Sequence, residues 1–273
     1  MKIEAEIVVA GNEILLGDVL DTNSHWLCGE LTEMGIVVRR VCQVRDDLSA
    51  IEGAIRSALS RGADVIITTG GLGPTADDVT LEALAQALGG ELAVHPLALQ
   101  WVVEKYRDLA AKGYVDSPEM TPERRKMARL PAGAQPLRNE EGAAPGVLIR
   151  RGDGIIISLP GVPEELKGIF ARGVRPVLSV LAGKGVFLEW HATVDCGDES
   201  VLAPLLATVN EKWPGVYVKS RARRFGPDGE FLVTLSASGH DQEGAAALLE
   251  SAWQDLEGAL GDKGIDVLDL ERS

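Results

Sequence analysis

The stretch TTGGLGPTADDVT, residues 68–80, determines how the rest of the chain is interpreted. It follows a β-branched run, DVIITT at 64–69, and precedes an amphipathic segment from Leu81 to Leu88. A glycine-rich turn between a buried strand and a helix is typical of a phosphate site, because backbone N–H groups and the helix N-terminus point outward there. Two adjacent aspartates, Asp77 and Asp78, stand in the same turn. Their charge opposes the approach of a phosphate.

The turn matches neither common nucleotide fingerprint. It lacks the G-x-x-x-x-G-K-[ST] pattern, and Gly71, Gly73 and Ala76 do not complete G-x-G-x-x-G. A tight strand-to-helix turn in which Asp77 or Asp78 caps the helix explains the spacing as well as a ligand site does.

A divalent cation would reconcile the aspartates with a phosphate. Two unit charges about 4 Å apart repel by roughly 4 kcal/mol at a dielectric constant of about 20. Mg²⁺ binds through one or two carboxylates together with substrate phosphates. A second acidic pair, Asp46 and Asp47, follows the second predicted strand, and Ser49 is the better candidate for the cap of the next helix. A solvent-exposed acidic turn explains this second pair equally well.

Strand and helix patterns alternate along the first two thirds of the chain. Strands are predicted over 3–10, 36–42 and 64–69, and the helices between them end near Gly35 and Gly62. Short connections imply right-handed βαβ units, a parallel sheet covered on both faces, and a ligand at the carboxyl ends of the strands. A polar helical excursion follows over about 91–129. The segments GVLIR and GIIISLPGVPEEL then predict two more strands and a helix.

The pattern changes after Pro176. The remaining segments predict a β-α-β-β-α unit, so we expect a doubly wound, mostly parallel α/β domain over 1–180 and a smaller α+β domain over 185–262. In the smaller domain, Lys219, Arg221 and Arg223 alternate along a predicted strand and share one face. That face is either solvated or directed at a ligand phosphate.

Composition excludes several classes of function. The 273 residues carry a net charge of −14, which disfavours non-specific binding to nucleic acid or to a membrane surface. Cys28, Cys42 and Cys196 lie far apart without C-x-x-C spacing, so neither a disulfide framework nor a zinc site is expected. The sequence shows no signal peptide and no membrane span, which predicts a cytoplasmic protein.

Four motifs resemble the amino-terminal part of the competence/damage-inducible protein A (CinA) family, within the wider molybdopterin-binding superfamily. They are GNEILLGDVLDTNSHWLCGELTEMGI, TTGGLGPTADDVT, LPAGAQPLRNEEGAAPG and SLPGVPEEL. Asn12 replaces the small residue usual before the acid of the first motif. The 185–262 segment resembles the KH-like domain of the same proteins, but it lacks a G-x-x-G loop, so RNA binding is not inferred.

The resemblance implies a hydrolase. Members of the family are metal-dependent pyrophosphatases of ADP-ribose, and many carry a carboxy-terminal nicotinamide-mononucleotide deamidase domain. The sequence ends at Ser273, where that domain would begin, so we do not assign deamidase activity. The implied ligand is a nucleotide or pterin phosphate, and the implied cofactor is a divalent metal, Mg²⁺ or a similar transition metal.

Site residues follow from the motifs and this chemistry. Asp46 and Asp78 are expected to hold the metal, and Asp77 to orient the attacking water. We expect the phosphate oxygens to be held by Gly70, Gly71, Gly73, Pro74 and Thr75. Further substrate contacts are assigned to Glu13, Thr22, Asn23, Thr80, Asn139, Gly161, Glu165, Lys219 and Arg221. Helix capping by Thr22 or Asn23, and a favourable interaction of Glu165 with a helix dipole, are equally compatible with the sequence.

Two further hypotheses stay open. One is a molybdopterin-binding or molybdopterin-adenylylating protein, and the other is a non-catalytic nucleotide-binding module. The resemblance also implies a homodimer. The segment LALQWVVEKY at 97–106 would supply its interface if Trp101 and Val102 face outward, whereas intramolecular packing is the alternative.

Overall fold

The computed structural model describes residues 3–183, 186–224, 229–239 and 241–272. The chain divides into two compact units. The first is formed by Met1–Thr32 and Ile36–Leu181, and the second by Glu33–Gly35 and Ala182–Ser273.

The first unit is a mixed sheet covered by helices. Its sheet has six strands in the order β2-β1-β3-β8-β7-β6. Strands β2, β1, β3 and β8 pair in parallel, and β7 pairs antiparallel with both of its neighbours, β8 and β6. In chain order the elements are β1 (Glu4–Ala10), α1 (Asn12–Leu15), α2 (Thr22–Glu33), β2 (Val37–Val44), α3 (Leu48–Ser60), β3 (Val65–Thr69), α4 (Thr80–Ala87), β4 (Leu92–Val94), α5 (Pro96–Ala111), α6 (Pro122–Lys126), β5 (Arg129–Pro131), β6 (Gln135–Leu137), β7 (Gly146–Arg151), β8 (Gly154–Leu159), α7 (Pro163–Ile169), a π-helical turn (Phe170–Val174) and α8 (Arg175–Ala182). The predicted mostly parallel α/β fold is confirmed.

The central strands are buried on both faces, as their continuous apolar runs predict. Every residue of β3 is buried, and so is every residue of β1 after Glu4. On one face, Ile51 and Ile55 of α3 belong to the same core cluster as Ile66 of β3. Elsewhere in the unit, Trp26 of α2 meets Phe170 edge to face, with ring centroids 5.2 Å apart.

One charged pair interrupts this apolar core. Glu6 of β1 is only 3% exposed. Arg61, which follows α3, donates from Nε to Glu6 Oε1 at 2.7 Å and from an η nitrogen to Oε2 at 2.5 Å. The Arg61 guanidinium lowers the pKa of Glu6, so the carboxylate stays charged inside the sheet.

Removing the cation should therefore be costly. Arg61→Ala leaves the buried Glu6 carboxylate unpaired, and we expect it to lower Tm by roughly 5 °C or more near neutral pH. Because the paired Glu6 has a lowered pKa, its stabilisation is present above its unfolded-state pKa and is lost as the pH falls through the folded-state value. The difference in Tm between Arg61→Ala and the parent protein should therefore become smaller at acidic pH. Arg39→Ala is the control, because it breaks an exposed pair with Glu4 and should lower Tm by roughly 2 °C or less. Equal effects of the two variants would contradict this assignment.

The 91–129 excursion is only partly helical. It contains α5 and α6, but it opens with β4, which pairs antiparallel with β5 as a separate two-stranded sheet. Val102 of α5 is fully buried in the core of the unit, so intramolecular packing, the alternative to an interface, holds for this residue. Trp101 is half-buried, with the Arg138 guanidinium 5.7 Å from its ring centroid.

The second unit is an antiparallel sheet of four strands in the order β10-β11-β9-β12. Its elements are β9 (Val186–Asp195), α9 (Glu199–Lys212), β10 (Val216–Arg224), β11 (Glu230–Gly239), α10 (Gln242–Asp262) and β12 (Val267–Arg272). Strand β12 was not predicted, because three of its six residues are charged and only Val267 and Leu270 pack on the core. The β-α-β-β-α pattern is otherwise present. Among the described residues, no helix has both the length and the apolar character needed to cross a bilayer.

Candidate functional site

A cavity of about 630 Å³ opens where the parallel strands of the first unit end. This is the sheet edge at which α/β folds place ligands, and the volume is typical of a small-molecule site. Predicted site residues that line it are Glu13, Asp46, Gly70, Gly71, Gly73, Pro74, Asp77, Asp78, Gly161 and Glu165. Tyr106, Met127 and the apolar Ala143 and Ala144 line it as well and were not predicted.

The glycine loop requires the absence of side chains. Gly70 has φ +88° and Gly71 has φ +67°, a conformation that other residues rarely adopt. A Cβ on Gly70 would overlap the carbonyl oxygen of Ala10, and one on Gly71 would overlap the hydroxyl of Thr80. The loop therefore presents bare backbone to the cavity. No hydrogen-bond acceptor for the N–H groups of Gly71, Leu72 or Gly73 is found within the described part of the chain.

The aspartates of this loop do not cap α4. The residue before α4 is Val79, which makes no capping bond. Instead Asp78 Oδ2 accepts the backbone N–H of Thr75 at 2.8 Å. The Thr75 hydroxyl lies within hydrogen-bond distance of both Asp78 Oδ2, at 2.7 Å, and Asp77 Oδ1, and its single hydrogen is shared between the two carboxylates. The capping alternative for Asp77 and Asp78 is therefore wrong. Both donors of Thr75 are occupied within the loop, so the predicted contact of Thr75 with a phosphate would require these bonds to break.

Lys126 was not predicted, and it holds the same loop from outside. It is the last residue of α6, and its Nζ donates to the carbonyl oxygen of Thr75. The hydroxyl of Thr75 lowers the pKa of Asp77, and the Lys126 ammonium contributes at longer range. Asp77 consequently remains ionised beside the cavity. No sequence signal pointed to Lys126, since the contact joins residues 51 positions apart.

Asp46 and Asp47 have separate roles. Asp47 is the N-cap of α3, with Oδ1 accepting the Ala50 N–H at 3.0 Å, so the predicted Ser49 cap is wrong. Ser49 donates its hydroxyl to Asp47 at 2.5 Å. Asp46 is thereby left to face the cavity, where its Oδ2 accepts the Asn12 N–H at 2.7 Å.

Burial raises the pKa of Asp46, although the Asn12 N–H opposes the rise. Three neighbouring carboxylates raise it further, those of Glu13, Asp77 and Asp78. Four acids thus crowd one wall of the cavity, an arrangement that costs stability in the absence of a compensating cation.

Residues of the first motif form a second group at this edge. Asp21 Oδ1 accepts the Ser24 N–H at 2.9 Å, as an N-cap does, so the capping alternative for Thr22 and Asn23 is wrong. Asn23 instead donates from Nδ2 to the carbonyl oxygen of Gly161 at 2.7 Å. Exposed Thr22 lies beside Asn23 on the wall of a small adjoining cavity.

Glu165 and Asn139 form one hydrogen-bonded unit. Asn139 Nδ2 donates to Glu165 Oε2 at 2.6 Å and to the Ala144 carbonyl at 2.8 Å, while its Oδ1 accepts from Gly142 N–H at 2.8 Å. Gly142 lies directly against the Glu165 carboxylate, where a side chain would overlap it. Burial raises the pKa of Glu165. Asn139 does not itself line the cavity. It contributes to the cavity wall by holding Glu165 and the 142–144 segment in place.

Three further predicted residues, in addition to those already described, do not line the cavity. Thr80 is 0% exposed, lies beneath Gly71, and its hydroxyl has no partner among the described residues. Lys219 and Arg221 belong to the second unit, on the exposed face of β10 that they share with Arg223, as the alternation predicts. Their role in substrate binding stays a prediction.

The acidic wall fits a cation held jointly with a ligand. In the described ranges, no group of three or more His, Cys, Asp or Glu side chains has the geometry to hold a metal ion. A divalent ion would thus rely on one or two carboxylates and on phosphate oxygens, as Mg²⁺ commonly does. The pKa of Asp46 is raised first by burial and further by the neighbouring carboxylates, and it is the contribution of these carboxylates that a bound cation would relieve.

This crowding predicts a stabilising substitution. Asp46→Asn removes one charge and keeps an oxygen for the Asn12 N–H, so we expect Tm near neutral pH to rise by about 2–4 °C. Because the folded-state pKa of Asp46 is raised, its destabilisation develops as the pH rises through the unfolded and then the folded pKa. The gain should disappear in acid, where Asp46 is protonated in both states. Thermal melts of both proteins across pH 3 to 8 measure this, and a pH-independent difference would contradict it.

The fold and site define an α/β protein with a small-molecule cavity at the carboxyl edge of its sheet. Residues 6–180 match the family model described as "Probable molybdopterin binding domain", and the chain belongs to that family. A protein of Pyrobaculum arsenaticum is 42% identical over 253 residues, which cover 92% of each chain. One of Pyrococcus abyssi is 40% identical over 240 residues, covering 88% of this chain and 92% of the relative. The crystal structure of the protein CinA of unknown function from Thermoplasma acidophilum has 37% identity and a TM-score of 0.57, covering 62% of this chain and 95% of that one.

Proposed function

We propose that the first unit binds a phosphorylated pterin of the molybdopterin class in the 630 Å³ cavity. The observation that carries the proposal is the glycine loop, which offers three unpartnered backbone N–H groups at the cavity wall, at Gly71, Leu72 and Gly73. Consecutive N–H groups of this kind form an anion site. The family model, which spans the loop and the whole cavity, supports the pterin as the remainder of the ligand.

A divalent cation would complete the phosphate site. Asp46 and Asp78 are the residues that would hold it, since each lines the cavity and keeps one carboxylate oxygen free of the hydrogen bonds described above. The ion would neutralise phosphate charge beside the acidic wall. Asp77, fixed by Thr75, would orient a water molecule at the same wall.

The substitution Asp78→Asn tests this arrangement. The amide oxygen can still accept from Thr75, so we expect the variant to fold with a Tm close to that of the parent. Magnesium-dependent affinity for molybdopterin should fall roughly tenfold or more, because an ionised partner is replaced by a neutral one. Equilibrium binding, with and without Mg²⁺, measures the loss.

Asp47→Asn is the matched control. It makes the same chemical change at an aspartate that caps α3, and asparagine caps helices as well as aspartate does. Its affinity for molybdopterin should equal that of the parent protein. If Asp78→Asn and Asp47→Asn both bind molybdopterin with parental, magnesium-dependent affinity, the proposed phosphate site is wrong.

A second candidate is metal-dependent hydrolysis of ADP-ribose, and the four carboxylates that crowd one wall of the cavity, those of Glu13, Asp46, Asp77 and Asp78, favour it. Attack by a water at a pyrophosphate needs charge neutralisation on the phosphate oxygens. Incubation with ADP-ribose and Mg²⁺ would yield AMP and ribose 5-phosphate, and Asp46→Asn should abolish the AMP. Molybdopterin binding without AMP formation would favour the first candidate, and the family model already does so.

Three finer assignments remain part of the proposal. Adenylylation of the bound pterin would place a nucleotide in the same cavity. The second unit is proposed to be KH-like on the strength of its β-α-β-β-α order, to which β12 is an addition. The homodimer remains a prediction, and the burial of Val102 removes one of the two residues proposed for its interface. A monomeric mass at micromolar concentration would reject it.

A further inference from the structure

A second cavity of about 80 Å³ adjoins the first at the start of α2. The two share a wall made of Ala10, Glu13, Gly70, Gly161 and Pro163. The smaller space corresponds to the liquid volume of two to three water molecules, at about 30 Å³ each. It is therefore large enough for the edge of a ring whose remainder lies in the main cavity.

The amide of Asn23 has one possible orientation in this cavity. Its Nδ2 donates to the Gly161 carbonyl at 2.7 Å, and since a carbonyl can only accept, the amide oxygen must point the other way. That oxygen is buried, and it has no hydrogen-bond partner within the part of the chain that the structure describes. A buried acceptor without a donor is unfavourable, so this oxygen requires an N–H or O–H group from outside the protein.

Glu13 supplies a second acceptor. Its carboxylate lines both cavities, and no hydrogen bond or ion pair of this side chain is recorded among the described residues. Gly11 makes room for it, because a Cβ there would lie 2.8 Å from Glu13 Oε1. Glu13 and Asn23 thus bring up to three acceptor oxygens to the wall of the small cavity, of which Asn23 Oδ1 lies beneath the surface of that wall.

The other polar groups of the small cavity do not balance these acceptors. Asp21 lines it as well, but its oxygens accept from Ser24 and Gln43. The hydroxyls of Thr22 and Thr69 can act as donor or acceptor. No lysine or arginine lines the space, and Val19 and Leu20 make its outer wall apolar, with Leu20 82% exposed. The lining of the cavity therefore favours a group that carries hydrogen-bond donors.

We propose that this small cavity is a recognition subsite for the 2-amino-4-oxopyrimidine edge of a pterin, with Glu13 and Asn23 as its specificity-determining residues. The ring N–H and one amino hydrogen donate to the two oxygens of the Glu13 carboxylate, and the second amino hydrogen donates to Asn23 Oδ1. A 2-oxo ring would place a carbonyl against the same acceptors and is rejected. This inference rests on the proposed function, because it assumes that the ligand of the main cavity is a pterin.

Two head-group probes that differ at one position test the subsite. Pterin 6-carboxylate and lumazine 6-carboxylate share the bicyclic ring, but lumazine carries oxygen in place of the 2-amino group. Binding of each is measured by fluorescence quenching. The parent protein should bind the pterin at least roughly tenfold more tightly, because a site built to accept N–H groups is left unpaired by the analogue that lacks them.

Glu13→Gln should reduce this preference to about twofold or less, because the amide offers one acceptor and one donor. Asn23→Ala should weaken pterin binding and leave lumazine binding unchanged. Asp18→Asn is the control, since Asp18 lies in the same motif, is exposed and does not line either cavity; it should keep the parental preference. Thermal melts establish that each variant is folded.

The outcomes separate the subsite from the proposed function. If the parent protein binds both probes equally, or if Glu13→Gln keeps the parental preference, the subsite is disproved. If neither probe binds while molybdopterin binds in an Asp78-dependent manner, the subsite is disproved and the proposed function stands. If molybdopterin also fails to bind, both are wrong.

Discussion

The close approach of Gly70 to the carbonyl oxygen of Ala10 is the constraint on which the site depends. This approach is possible only because Gly70 has a positive φ and no side chain. The residues that follow β1 and β3 can therefore lie in direct contact. Gly161, after β8, is in van der Waals contact with the same loop, since a Cβ on Gly161 would lie 3.5 Å from the Gly70 Cα. The segments that follow β1, β3 and β8 therefore meet at one point of the sheet edge. The cavity, its bare backbone wall and the small cavity beside it all result from this convergence.

The acidic wall is arranged around the same point, and it opposes folding. Asp46 is brought among three other carboxylates by strand ends that the sheet fixes, and its raised pKa records the cost. The remaining aspartates are restrained by local bonds, those of Thr75 in the glycine loop and those of Ala50 and Ser49 in the α3 cap. This crowding places unfavourable charge at the wall of the cavity, which is a common property of functional sites.

The sequence predicted most of the first unit because its signals are local. Buried strands, helix-ending glycines and the strand–loop–helix order of 64–88 depend on neighbouring residues, and the sheet edge follows from them. The ten predicted residues that line the cavity needed the motifs of the family resemblance as well. The caps were predicted less well. Asp47 and Asp21 replace Ser49 and Thr22, because several candidates lie within two residues and only the backbone geometry chooses between them. Lys126, Tyr106 and Gly142 reach the site through contacts that no spacing encodes. Strand β12 shows the same limit, since pairing with β9 determines it more than its own composition does.

The bond from Lys126 to Thr75 has a consequence for motion. It joins the end of α6 to the loop that carries Asp77 and Asp78, although the intervening chain runs through β4 and α5. Local opening of α6 must break this bond, so the free energy of that opening depends on how firmly the loop is ordered. A ligand that immobilises the loop will then slow amide hydrogen exchange in the last turn of α6. No residue of α6 lines either cavity, and Met127, which lines the main cavity, follows the helix. Hydrogen exchange in α6 would thereby report on the occupancy of a cavity that α6 itself does not line.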